Sequence, residues 1–144
     1  MRDEVALLYQ LVRRTHLARP LFGTRVCAGF PSPAEDWIEG RLDLNERLIR
    51  HPVATFFTRV EGDSMVGERI YPGDMLVIDR AAPTGDGSIV LALLNGAFCV
   101  RKLRIEEERI WLEAANEGYS PIEITEETEF QVWGRVMHTI HSFQ

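Results

Sequence analysis

The chain has 144 residues, a net charge of −6, and 45% hydrophobic against 26% charged residues, values ordinary for a soluble one-domain protein with its own core. No run of Lys or Arg exceeds Arg13-Arg14, so direct sequence-specific DNA binding is not expected and any nucleic-acid link runs through a partner. The start has acids where a signal peptide carries bases, its apolar run is too short to span a bilayer, and Cys27 and Cys99 share no metal-ligand or redox spacing. The expectation is therefore a cytoplasmic protein with no membrane contact, no cofactor and no metal.

Residues 3–14 set Val5, Leu8, Tyr9 and Val12 on one helical face, with acids first and Arg13-Arg14 last, which predicts a short amphipathic helix. Pro20 and Gly23 break the pattern, and 20–31 reads as an extended, partly exposed connector of the kind in which proteolysis concentrates. Within it, Cys27-Ala28-Gly29-Phe30-Pro31 is rich in small residues and reads as a place to be cut. Ser32-Pro33-Ala34-Glu35 predicts a helix start, with Ser32 as cap, Pro33 at the first helical position and Gly40 as the stop. A second short helix opens at Asp43, with Glu46 three residues on, and ends by Pro52.

Beyond Pro52 the pattern is that of strands, at 54–60, 75–79, 88–94, 97–103, 110–114 and 130–140, separated by turn residues such as Pro72-Gly73-Asp74. Asn95-Gly96 between two apolar runs predicts a hairpin. The reading is mainly β: an extended, partly helical N-terminal arm over 1–43 that carries the cleavage segment, then a β-rich body over 44–144.

Between the first two strand runs stands Gly62-Asp63-Ser64-Met65. A serine hydroxyl is a poor nucleophile at neutral pH, so Ser64 needs a base within reach and backbone N–H groups to hold the oxyanion. A lone serine after Asp in a turn is more often a turn residue, and Asp63 reads as turn-capping rather than as an acid catalyst. The histidines give little support, since His138 and His141 fall on opposite faces of a strand and His16 and His51 are isolated. A Ser-His-Asp triad or a two-histidine metal site is not expected, whereas a lysine base remains open.

Taken together, Cys27-Ala28-Gly29-Phe30-Pro31-Ser32-Pro33-Ala34, Leu42-Asp43-Leu44-Asn45, His51-Pro52, Gly62-Asp63-Ser64-Met65, Gly73-Asp74, Asn95-Gly96 and Asn116 with Tyr119-Ser120-Pro121-Ile122 resemble the LexA/UmuD family of self-cleaving SOS-response proteins. The likeness implies a β-rich peptidase domain in which a Ser-Lys dyad cuts the arm when a RecA filament on single-stranded DNA stimulates it. It makes Ala28-Gly29 the scissile bond and Ser64 the nucleophile. It also implies that the shortened product, starting at Gly29, dimerises and joins a UmuC-type subunit as an error-prone translesion polymerase, with the replicative sliding clamp as a further partner. The alternative is a homodimer that keeps its arm and regulates polymerase and RecA partners uncut. The short arm leaves no room for the DNA-binding domain of LexA-like repressors, so the expected type is UmuD.

The resemblance places the family lysine after the valine of a Val-Lys-Lys-Leu or Val-Lys-Arg-Leu segment, where this chain has Val100-Arg101-Lys102-Leu103. Arg101 therefore occupies the lysine position. A lysine can lose its proton when desolvated, whereas an arginine stays protonated in proteins. Three readings stand at this point. Cleavage is slowed or absent, with Arg101 supplying packing or charge beside Ser64; or Lys102 substitutes as base by way of a bulge or a one-residue slip; or a water or another group takes the proton.

Overall fold

The structure, a computed structural model, describes residues 16–23, 26, 28–29 and 38–143. The helix expected over 3–14, the helix start at Ser32-Pro33 and the surroundings of Cys27 lie outside the described residues. The chain divides into two compact units, 1–50 and 51–144.

In the first unit, β1 (Ala18–Phe22) pairs antiparallel with β2 (Ile38–Asp43), Ala18 standing opposite Asp43. Gly40, expected to stop a helix, instead lies within β2 opposite Leu21. Local helix signals lose here to a pairing partner some twenty residues away, which no short window can register. The short helix α1 (Leu44–Leu48) forms where the capping residue predicts it. Asp43 Oδ1 accepts the Asn45 N–H at 2.9 Å, and its other oxygen accepts the Leu17 N–H at 2.9 Å, so one buried carboxylate caps α1 and closes the β1–β2 ladder.

The second unit is one antiparallel sheet. Its strands are β3 (Thr55–Arg59), β4 (Met75–Asp79), β5 (Ile89–Leu94), β6 (Ala97–Glu106), β7 (Arg109–Glu113), β8 (Ile122–Ile124) and β9 (Phe130–Ile140). They lie in the order β3-β4-β9-β5-β6-β7-β8. Asn95 and Gly96 have φ of 48° and 82°, the left-handed pair that a type I′ hairpin needs. Leu94 duly faces Ala97 across the turn. β8 has no counterpart among the expected strands because three residues are too few to show alternation.

Successive β5 residues feed two cores on opposite sides of the strand. Leu91 joins Val60, Met65, Ile70, Leu76 and Ile78, while Val90 and Ala92 join Leu103 and Leu112. β9 lies between β4 and β5 and holds the two halves of the sheet together. Its register shifts against β5 between Leu91 and Ala92, and against β4 between Val77 and Ile78.

Gly134 sits at the first of these irregularities, where an added Cβ would stand 2.5 Å from Ile78 Cγ2 and 3.4 Å from Arg80 Cγ. Glycine in a strand interior marks such a close approach. Gly134→Ala is expected to cost about 1–3 kcal/mol, as overpacking does. It should appear as a lower urea midpoint with unchanged slope, and an unchanged midpoint would show that β4 yields freely.

Phe56, Phe57, Ile140 and Phe143, open between core and interface from sequence, are 44%, 55%, 40% and 92% exposed. They are surface residues of this unit, although Phe56 stacks edge-on against Trp133 with ring centroids 5.0 Å apart.

Candidate active site

Ser64 lies in the turn between β3 and β4, entered through Gly62 at φ 80°, a left-handed conformation that favours glycine. After it the chain coils into a 3₁₀ turn, Val66–Glu68. Two backbone bonds stitch this turn to the segment after β7: the Ala115 N–H donates to the Ser64 carbonyl at 2.7 Å, and the Gly67 N–H donates to the Ala115 carbonyl at 2.7 Å. Met65 is buried in the core beneath. Asp63 points the other way, accepting the Tyr119 hydroxyl at 2.8 Å while its carbonyl accepts Asn116 Nδ2 at 3.0 Å. The hydrogen bond from Tyr119 to this carboxylate, with the charge of Asp63, holds the phenol above its ordinary pKa. Ser64 is thus fixed from below by packing and from both sides by the 115–119 segment.

The close approach at Gly67 leaves no room for a side chain, since an added Cβ would meet the Ala115 carbonyl oxygen at 2.7 Å. Gly67→Ala is expected to break the stitch and cost about 1–3 kcal/mol. Amide exchange at Ala115, whose N–H goes to Ser64, should quicken more than exchange in β7. A uniform change would mean that the turn is not held locally.

β6 brings the next groups. No register shift interrupts its pairing with β5 over Ala97–Lys102, so the neighbours Arg101 and Lys102 diverge. Arg101 Nη1 donates to Ser64 Oγ at 2.8 Å and to the Val100 carbonyl at 2.8 Å, and its guanidinium stands 5.5 Å from the Tyr119 ring centre. Lys102 Nζ pairs instead with Glu68 Oε1 at 2.8 Å, and the hydrogen bond and charge of Glu68 hold the amine above its ordinary pKa. The ammonium is thereby kept charged and turned toward Glu68, with no bulge to carry it to Ser64.

A cleft of about 410 Å³ opens at Ser64 and Arg101, with Arg59, Glu61, Leu91, Phe98 and Tyr119 among its walls. Cys99 also lines it, its thiol pushed up by burial and partly drawn back by Arg101. Among the described residues no histidine lines the cleft, and the backbone N–H groups of Ser64 and Met65 make no hydrogen bond. They remain available as oxyanion donors. Ala28 and Gly29 are exposed in the first unit.

The sequence picked out Ser64 and Arg101, which the fold brings together, and Lys102, which it sends elsewhere. It assigned no chemical part to Tyr119, Asn116, Arg59 or Gly67. Tyr119 and Asn116 sit in an irregular segment whose only sequence signal was their place in a longer motif.

Two histidines read as isolated have partners far along the chain. His51 Nδ1 lies 2.5 Å from Asp79 Oδ2, and His16 Nδ1 lies 2.9 Å from Asp43 Oδ2. His16, Asp43 and Glu46 bring one ligand atom each within 4.8 Å of one another. Both Asp43 oxygens already accept backbone N–H groups, so the cluster reads as a helix cap with a paired histidine. No helix among the described residues is long and apolar enough to cross a membrane.

Residues 20–137 match the Peptidase S24-like family. The chain is 39% identical to Protein MucA of Salmonella typhimurium over 122 residues, 84% of this chain and 83% of that protein. It is 43% identical to Protein SamA of Salmonella typhimurium strain LT2 over 122 residues, 85% of this chain and 84% of that one. Against the LexA repressor of Xylella fastidiosa identity is 36% over 132 residues, which cover 92% of this chain and 61% of the repressor. The seven-stranded antiparallel sheet, the serine turn and these matches agree: the chain belongs to the Peptidase S24-like family, the LexA/UmuD family, as a UmuD-like protein.

Proposed function

We propose that this UmuD-like SOS mutagenesis protein carries the self-peptidase apparatus of its family with the base replaced. Ser64 is the nucleophile, Ala28-Gly29 the bond it would cut, and Arg101 stands where the family lysine would be. The observation that carries the reading is the 2.8 Å contact in which Arg101 Nη1 donates to Ser64 Oγ. A dyad needs that oxygen to give its proton to a neighbour. A guanidinium has five donors and no acceptor, and it stays protonated in proteins. It occupies a lone pair of the nucleophile and cannot take its hydrogen. Lys102 offers no substitute while it is paired with Glu68.

Self-cleavage is therefore impaired, and the working form is the uncut chain: a homodimeric regulatory module that engages a UmuC-type polymerase subunit and a RecA filament on single-stranded DNA. The replicative sliding clamp is a further candidate partner. The exposed aromatic residues Phe56, Phe57 and Phe143 support a role in association. Intact-mass spectrometry of the purified chain, incubated at high pH or with RecA, single-stranded DNA and a nucleoside triphosphate, tests the reading. Little or no product beginning at Gly29 is expected, and rapid cutting by the unaltered chain would refute impairment.

A further inference from the structure

Resting on the Ser64–Arg101 assignment above, we propose that this cleft binds the terminal carboxylate of a peptide. A serine hydroxyl has one hydrogen to donate and lone pairs that accept. In a Ser-Lys dyad the hydrogen goes to the amine. Here Arg101 fills a lone pair of Ser64 Oγ, so the hydroxyl hydrogen points elsewhere, and no acceptor among the described residues receives it. The guanidinium uses only Nη1, on Ser64 and on the Val100 carbonyl. Its remaining N–H groups are unclaimed among the described residues.

The surrounding charges lean the same way. Arg59 also lines the cleft and has no ion pair among the described residues. Glu61 is the one carboxylate in the lining. Asp63 is occupied by the Tyr119 hydroxyl and Glu68 by Lys102. Two arginines thus face one open carboxylate on a chain whose net charge is −6.

Donors without acceptors, next to fixed positive charge, fit an anion, and a planar guanidinium fits a carboxylate in particular. The walls from Leu91, Phe98 and Val100 are apolar and suit the side chains of a peptide's last residues better than a bare ion. The exchange of a base for a permanent cation thereby turns a place where a peptide bond would be cut into one that retains a chain end.

The test uses the full chain and fluorescence anisotropy with three probes: a labelled peptide of the sequence 21–28 ending in a free carboxylate, the same peptide as its C-terminal amide, and inorganic phosphate as competitor. The acid is expected to bind about tenfold or more tightly than the amide, as charge-assisted hydrogen bonds warrant. Arg101→Gln should abolish that preference. Equal binding of acid and amide, or no binding of either, overturns the proposal. Phosphate competing as well as the peptide acid would reduce the site to a small-anion site and overturn it too. The wild-type comparison of acid with amide does not depend on any variant folding. Cutting by Arg101→Lys without this preference would sink the carboxylate site and leave the proposed function standing. The preference without any cutting by Arg101→Lys would do the reverse.

Discussion

Arg101→Lys is expected to restore self-cleavage, releasing a product that begins at Gly29 and raising its rate about 10²–10⁴-fold, the usual worth of a positioned general base. The substitution leaves the hydrogen bonds that hold the Ser64 turn in place, those from Ala115, Asn116 and Tyr119, none of which is made to residue 101. Reach is not the obstacle, because the guanidinium contacts the carbonyl of its own neighbour Val100 and its stem is folded back rather than fully extended. An amine at that place must lose its proton to act, so the gain should grow with pH. Intact-mass spectra over a pH series read the outcome directly. Adding Ser64→Ala to the lysine variant should silence it. If the lysine variant is cut no faster than the parent chain, Arg101 is not what limits cleavage. If cutting survives Ser64→Ala, the nucleophile is another group.

The second large effect concerns stability. Asp74 is 2% exposed and accepts from three directions: the Tyr71 N–H at 2.9 Å, the Thr139 hydroxyl at 3.3 Å and His141 Nδ1 at 2.5 Å. It joins the β3–β4 connection to the far end of β9. Burial alone would raise its pKa, but the Tyr71 N–H and the His141 imidazole outweigh that and leave the carboxyl below its ordinary value. Asp79 behaves alike: burial is outweighed by His51 and the Ala81 and Ala82 N–H groups.

A carboxyl more acidic in the folded than in the unfolded chain contributes stability that is complete above the unfolded value, near pH 4, and fades as pH falls toward the folded one. The chain should therefore lose urea resistance below about pH 4. Asp74→Ala should cost roughly 2–3 kcal/mol at neutral pH, leaving its donors without a buried acceptor, and should flatten the acid limb. His141→Ala, removing a half-exposed partner, should cost less than about 1 kcal/mol. Equal losses for both would mean that the ion pair rather than the backbone acceptor carries the effect.

Much of the sheet was legible because its strands announce themselves locally. Met75–Asp79 and Phe130–Ile140 begin and end where alternation and turn residues place them, and Asn95-Gly96 sets the β5–β6 register through the left-handed conformation that this pair favours. What could not be read was pairing over distance. The β1–β2 ladder overrode Gly40 as a helix stop, and His16 and His51 found carboxylates on other elements. The site divides in the same way. Ser64 and Arg101 were named from motif and register, whereas Tyr119 and Gly67 are placed by contacts with Asp63 and Ala115, about fifty residues away.

The central position of β9 also governs time. Ser64 belongs to the β3–β4 side of the sheet and Arg101 to the β5–β6 side, and β9 (Phe130–Ile140) is the strand that pairs with both. A ribosome adds some 5–20 residues per second, so both side chains exist for several seconds before the strand that joins the two sides of the sheet has been made. During that interval the Ser64 hydroxyl and the Arg101 guanidinium, which bond at 2.8 Å in the finished fold, belong to halves of a sheet not yet joined. In this architecture the sheet that carries Ser64 and Arg101 closes late, with one of the last strands to leave the ribosome.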